Sequence, residues 1–298
     1  MALTAYQTQT ARLLHDSSQQ FWSLTDLTSY INTARSQIAA EGQCVRVLAP
    51  SQGAITSATV TSGGTGYSTS PTITAGGGLG SGATFTPTVS GGTIASIAVA
   101  TGGTNYTLPS LTITDTTGSG AKATAAQSGV LLTVAAQEVY NFTTANTIVS
   151  QSSGVSAILF VQTVSVSWGA LKPTLDQLDW SSFQAYLRSY SAALQGQPVI
   201  WSQFGQGASG SVYLWPIPSS PMPMDWDCIC TPIVLVDDTT AEAIPYPWTD
   251  CVPYFAAYLA LMNSRRPEEA ANMFKLYDVF MKRARSFSES TFVPSYYA

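Results

Sequence analysis

Between Ser51 and Gln127 the chain repeats itself, and that repeat restricts what these 77 residues can fold into more than any other feature. The segment GAITSATVTSGGTGYSTSPTI, from Gly53 to Ile73, returns about 39 positions later as GTIASIAVATGGTNYTLPSLTI, from Gly92 to Ile113. Ile55 matches Ile94, Val60 matches Val99, Gly63-Gly64 matches Gly102-Gly103, and Tyr67 matches Tyr106. A second motif, GSGATFT from Gly80 to Thr86, is echoed as GSGAKAT from Gly118 to Thr124. Alternation of Ile, Val and Ala with Thr and Ser suits a half-buried strand, and paired glycines supply positive φ or close approach, so each unit reads as strand, Gly-rich turn, strand. The tyrosine after each turn is expected to cover the exposed end of its own unit. With few large apolar groups, such a fold depends on strand pairing and on stacking the first repeat against the second. Two different motifs recurring in one order distinguish it from an unfolded Thr/Gly linker.

The same 77 residues hold 15 of the chain's 23 glycines, with 19 threonines and 10 serines, and Asp115 and Lys122 are the only charged side chains in them. The flanking segments have ordinary composition and end in strand-like stubs, CVRVL from Cys44 and GVLLTV from Gly129. This pattern implies an inserted all-β domain over 51–127 in a discontinuous host domain, 1–50 joined to 128–298, because insertions are accepted at exposed sites whose ends lie close. The longest apolar run, VPYFAAYLALM from Val252 to Met262, has 11 residues, short of the roughly 18 that a membrane helix needs, and no signal-peptide pattern opens the chain. Twelve Lys and Arg against 17 Asp and Glu give a net charge of -5, which argues against a surface that grips nucleic-acid backbone. A single histidine leaves little room for His-based catalysis or multi-His metal sites.

The host reads as α+β. A weak helix over Tyr6–Leu14 precedes a stronger one, in which Ser23 and Asp26 form a capping-box start, Leu24, Leu27, Ile31, Ala34 and Ile38 make an apolar face, and Gly42 ends the run. Thr28, Asn32, Gln37 and Glu41 lie on its opposite face. The runs LLTVAAQEVYNFT, VSAILFVQTVSVSWG and VYLWPIP read as antiparallel strands, and LDWSSFQAYLRSYSA as a middle helix with a stripe of Phe183, Tyr186, Leu187 and Tyr190. The proline-rich stretch from Tyr213 to Asp227 is expected to be an extended loop or an edge-strand exit, not a central strand. Asp250 is expected to cap a helix with Pro253 in its first turn, and Pro267 to open a second helix with Ala270, Phe274, Tyr277 and Met281 inward and Lys282, Arg283 and Arg285 at its far end. FVPSYYA then reads as a free or partner-docked tail.

Candidate chemistry is thin. Cys44, Cys228, Cys230 and Cys251 lack zinc-site spacing and read as ordinary thiols, with pairing left open. His15 beside Asp16 has no nucleophile elbow near it and reads as structural. Asp225, Asp227, Asp237, Asp238 and Asp250 form the densest acidic group; they read as loop acids or as ion-pair partners of the C-terminal arginines, since no calcium-loop spacing is present. Gly76-Gly77-Gly78 with Gly80 lacks the Lys-Ser/Thr of a phosphate loop. No catalytic, cofactor-binding or metal residue is assigned. Seven tryptophans and most of the 14 tyrosines fall in the host, a supply that suits extensive protein–protein surface.

The ordered series ARLLHDSSQQFWSLTDLTSYINTARSQIAAEGQCVRV, VSVSWGALKPTLDQLDWSSFQAYLR, YLWPIPSSPMPMDWD and IPYPWTDCVPYFAAYLALMNSRRPEEAANMFKLYDVFMKRARS resembles the head-to-tail adaptor (connector) proteins of short-tailed bacteriophages, over about 1–49 and 128–290. The resemblance implies a structural virion protein, not an enzyme, with a helical core (N-terminal helix, middle helix, C-terminal αα-hairpin) and a β part. It implies assembly in the host cytoplasm into a dodecameric ring at the head–tail junction. Portal protein would lie above, with Ser286 to Ala298 reaching it, and the tail nozzle below. Double-stranded DNA would pass through the lumen without sequence-specific contact, and no cofactor or membrane would be involved. The insert departs from plain members of that family and resembles Gly-Tyr-Pro β repeats of phage virion proteins. A receptor- or glycan-binding tail protein using the repeats is the alternative, and a polysaccharide-cleaving enzyme using Asp225 or Asp227 a third reading.

Overall fold

The computed structural model describes residues 1–50, 52–168, 171–188 and 194–288. The chain is mixed α+β. Helices α1 (Leu3–Leu13) and α2 (Leu24–Gly42) lead into β1 (Arg46–Ala49), and the repeat region supplies β2 (Ala54–Thr65), β3 (Thr72–Ser90), β4 (Thr93–Thr114) and β5 (Ser119–Ser128). Next come β6 (Leu131–Leu132), β7 (Val139–Asn141), α3 (Phe142–Val149), β8 (Val155–Val166), β9 (Asp176–Gln177) and α4 (Trp180–Tyr186). Strands β10 (Gln195–Gly196), β11 (Ile200–Phe204), β12 (Ser211–Trp215), β13 (Ile217–Pro218) and β14 (Pro223–Pro232) precede α5 (Val252–Asn263) and α6 (Pro267–Ser288).

The expected capping box opens α2: Asp26 N–H donates to Ser23 Oγ at 3.2 Å and Ser23 N–H donates to the Asp26 carboxylate at 3.3 Å. At the other end Gln43, not Gly42, takes the left-handed conformation, with φ of 49°. Gly42 is needed for contact instead, since a Cβ there would stand 2.5 Å from the Trp248 ring. Helix α5 buries residues around most of its circumference because α1, α2 and α6 all pack on it. It starts after a 3-10 turn, Trp248–Cys251, with Cys251 at the N-cap; Asp250 makes no capping bond, contrary to the sequence expectation. Ser264–Arg266 turn the chain into α6, which stacks Phe280 on Tyr254 at 4.6 Å and buries Ala270, Tyr277 and Met281. Phe274 remains half-exposed. Helix α4 is short, and Tyr190 and the FVPSYYA tail lie outside the described residues.

Two stretches differ from their sequence reading. The run LLTVAAQEVYNFT yields only β6 and β7 and then passes at Phe142 into α3, which buries Phe142, Ala145 and Val149. The proline-rich segment ends in β14, the central strand of the host sheet, paired antiparallel with β8 along one edge and with β1 and β6 along the other. Proline is tolerated because Pro223 and Pro232 occupy the strand's first and last positions, leaving the interior MDWDCICT able to donate throughout. A smaller sheet runs in the order β7-β12-β11-β9, with α4 against β11.

The insertion enters through one strand. β1 pairs with β14 from Arg46 opposite Ile229 to Ala49 opposite Trp226, and β6 resumes with Leu131 opposite Met224. After Ala49, Pro50 falls opposite Asp225, so Leu131 takes the slot that residue 51 would have filled, and Leu131 N–H donates to Pro50 O at 3.0 Å. The intervening residues are therefore spliced into the middle of a single strand with its register preserved. A chain in which Pro50 is joined directly to Leu131 is expected to keep the cooperative unfolding of the remainder, with its midpoint shifted by no more than a few degrees in a thermal melt followed by tryptophan fluorescence. All seven tryptophans lie outside 51–127, so that signal reports the host alone. Loss of the transition would show that the host needs the insert to fold.

Within the insert the repeats interlock rather than stack. β2, from the first repeat, lies against β5, from the second, with Ala58 opposite Ala125; the start of β4, from the second, lies against the end of β3, from the first, with Ile97 opposite Pro87. Both ladders slip at equivalent places: Ile55 and Val60 precede the shifts in one, Ile94 and Val99 in the other. Ala58 also pairs with its own counterpart Ile97, so a pseudo-twofold axis passes between them. Volume is complementary across the axis, Ile97 and Phe85 standing where the other repeat has Ala58 and Ala123, and these four meet in the insert's core with Tyr67 and Ile94.

The tyrosines likewise cross over, in place of capping their own units. Tyr67 accepts from Ala121 N–H at 3.1 Å and lies flat on Gly118, where a Cβ would meet its ring at 2.4 Å. Tyr106 accepts from Ala83 N–H at 3.3 Å and lies on Gly80, where a Cβ would meet its ring at 2.2 Å. The recurring Gly-Ser-Gly-Ala motif is thus the seat of the other repeat's tyrosine.

Candidate functional site

The sequence-level candidates do not converge. Asp225 pairs with Lys172 and Asp227 with Arg46, both on the host sheet and not with the C-terminal arginines. Asp237 accepts from the amides and hydroxyls of Thr239 and Thr240, and these bonds hold its carboxyl below the usual range. Asp238 accepts from Thr4 N–H at 2.8 Å and Thr4 Oγ1 at 2.7 Å, bonds that also lower its carboxyl while tying its loop to the start of α1. Asp250 faces Arg12 and Gln9 across a cleft of about 330 Å³ walled by Tyr254 and Phe280. Four of the five carboxylates thus have a local partner, and the cleft beside Asp250 is lined by no second acid among the described residues, so no acid and base face each other there.

The thiols are spread as well. Cys228, Cys230 and Cys251 are buried, Cys44 is partly so, and all four are free. Burial pushes the thiols of Cys44, Cys230 and Cys251 up to about 12, and that of Cys228 upward also, so none is a ready thiolate. Among the described residues no three His, Cys, Asp or Glu side chains stand where they could share a metal ion. His15 is exposed in a left-handed turn, and Asp16 points away from catalysis: desolvation raises its carboxyl, but N–H donors from Phe21, Gln20 and Trp22 outweigh that and hold it low. Gly76 to Gly80 belong to β3, where Gly77 and Gly78 pack on the Thr107 backbone and side chain.

Two of the charged contacts that escaped the sequence reading are made by α2. Arg35, on the buried side of α2, forks onto Glu242 with Nη2 to Oε1 at 2.7 Å and Nε to Oε2 at 2.9 Å, and also donates to Ile233 O at 2.6 Å. The two side chains are 1% and 5% exposed. Asn32, one turn earlier, clamps Leu235 through both backbone groups, at 2.8 and 3.0 Å. Burial, with Glu242 next in effect, drives the Tyr6 phenol far above its ordinary range. Glu41 forms the second contact, accepting from Tyr277 Oη at 2.7 Å and Arg285 Nη2 at 2.9 Å, which fastens α6 to the end of α2. A polar face on α2 was legible, but Asn32 and Glu41 on it find their partners more than 200 residues away in sequence.

The aromatic surface also differs from expectation. Trp22, Trp201, Trp226 and Trp248 are buried, and none of the seven tryptophans is among the strongly exposed apolar residues. Exposed apolar side chains are spread along the chain, Phe21, Tyr186 and Tyr246 among them, and include a group on α6 (Leu276, Val279, Phe287) and the pair Val234 and Val236 in the loop after β14. In the insert, Tyr67 and Tyr106 are buried and Phe85 packs in the core, so the outer face presents Thr and Ser hydroxyls together with the exposed Leu79 and Leu108. No helix among the described residues is long and apolar enough to cross a membrane. No protein-family model matches the chain, and no curated protein does.

Proposed function

We propose that the chain is a head-to-tail adaptor of a short-tailed bacteriophage, a structural virion protein that forms a ring between portal and tail nozzle around the DNA channel. The observation that carries the reading is the ordered resemblance of four long host segments, from ARLLHDSSQQFW to the α5–α6 region, to that family. In this reading α1, α2, α5 and α6 supply the N-terminal helices and C-terminal hairpin of the family's helical core, while α4, the middle helix, lies against β11. The structural occupation of the candidate acids and thiols agrees with a role in assembly, and a net charge of -5 agrees with a conduit that lets DNA pass without gripping it. In this reading the 51–127 insert projects from the ring.

A glycan-binding role for the insert is less well supported. Sugar rings are held largely by exposed aromatic faces, and the insert's three aromatic residues are directed inward. Electron microscopy of the purified chain with portal rings tests the adaptor reading: rings of about twelve copies seated on portal are expected, whereas a chain that leaves portal bare would overturn it.

A further inference from the structure

The charge of the chain is divided in space. Six of its twelve Lys and Arg lie between Arg265 and Arg285, against three acids in the same stretch, Glu268, Glu269 and Asp278, so the α6 region is net positive on a net negative molecule. On α6, Leu276, Val279, Arg283 and Phe287 recur at 3,4,4 spacing and form a stripe away from the Ala270, Tyr277 and Met281 face that packs on α5. The guanidinium of Arg283 lies 5.7 Å from the Phe287 ring, so the basic and apolar parts form one surface.

The loop after β14 carries the opposite charge beside the same apolar chemistry. Leu235 turns inward under the Asn32 clamp, which forces Val234 and Val236 outward, 64% and 76% exposed. Asp237 and Asp238 follow at once, and the hydrogen bonds that lower both carboxyls keep them anionic. Arg35, through Ile233 O, and Thr4, through Asp238, hold this loop in place, so its valines and acids form a preset surface.

We propose that the α6 stripe of one copy docks on the Val234–Asp238 patch of the next. Two valines meet Leu276 and Val279, and the two aspartates meet Arg283, the stripe's own cation. Patch and stripe are different surfaces of the same chain, so the contact is heterologous and propagates head to tail, as closure into a ring requires. The inference rests on the adaptor reading for the expectation of a ring, and names the contact that would build it.

Native mass spectrometry and sedimentation velocity of the full chain test it. Val236→Glu and Val279→Glu each place a carboxylate in one half of the contact at an exposed site, and each is expected to weaken self-association by at least about tenfold with unchanged thermal unfolding. Mixing the two variants leaves one intact patch facing one intact stripe, so a one-to-one dimer that grows no further is expected. Undiminished assembly of either single variant, or a mixture that yields no dimer, would overturn the contact. The adaptor reading fails separately: variants that assemble normally while the wild type still seats on portal remove only this contact, whereas self-association that follows these rules without portal binding removes only the adaptor role.

Discussion

Arg35→Ala is expected to lower the stability of the host by about 3–5 kcal/mol, because it strands a carboxylate in a site closed to water. Glu242 is 5% exposed and takes two guanidinium nitrogens, while the same arginine satisfies Ile233 O and Asn32 Oδ1. Removing it leaves the Glu242 charge without its cation and Ile233 O without its donor, and the extended segment 233–235 loses one of its two ties to α2. Urea unfolding followed by tryptophan fluorescence measures the loss, since all seven tryptophans lie in the host. The double variant Arg35→Met with Glu242→Leu, which removes both charges and keeps most of the volume, should recover more than half of it. A cost below about 0.5 kcal/mol for Arg35→Ala, the level of ordinary surface changes, would refute the view that this pair is a desolvated tie.

Gly103→Val should abolish the order of the insert and leave the host transition in place. Gly103 has φ of 62° and a Cβ there would stand 2.3 Å from Ser81 O and 2.6 Å from Ala83 N, so valine meets both a disfavoured backbone region and a rigid neighbouring strand. Together these are worth about 3 kcal/mol or more. The insert has little to set against that, since its buried apolar side chains are few and small. Gly64→Val should act alike, because Gly64 has φ of 63° and meets Ser119 O and Ala121 N at 2.5 and 2.6 Å. Far-UV circular dichroism would report the lost strands while tryptophan fluorescence follows the host. A tryptophan transition that falls in step with the dichroism would mean that insert and host unfold as one unit.

Much of the local structure was legible because it is written in nearest neighbours. The capping box at Ser23, the proline at the head of α6 and the alternation in the repeats each act over four or five residues, and each appears where expected. The reading failed where a distant partner decided. Composition argued against a central strand before Asp227, yet β8, β1 and β6 close on both edges of β14 because its prolines fall at the ends. The sequence leaves the acids near Asp225 as loop acids or as partners of the C-terminal arginines, but Asp225 and Asp227 lie in a strand, beside Lys172 and Arg46. Arg35 carries no local mark, lying among Ala34, Ile38 and Ala39 as any helix-surface arginine might, until the fold sets Glu242 against it.

The sequence by itself determined that the chain has two compositions, that 51–127 is a β repeat, and that helices flank it at both ends. These follow from period, capping and propensity, which need no partner from elsewhere in the chain. Only the tertiary structure decided that the repeats exchange strands and seat their tyrosines on each other's glycines, and that the whole insert opens from the middle of one host strand. Those are matters of register, and register is chosen by whichever pairing buries the same apolar face on both sides, a comparison that exists only once distant segments meet.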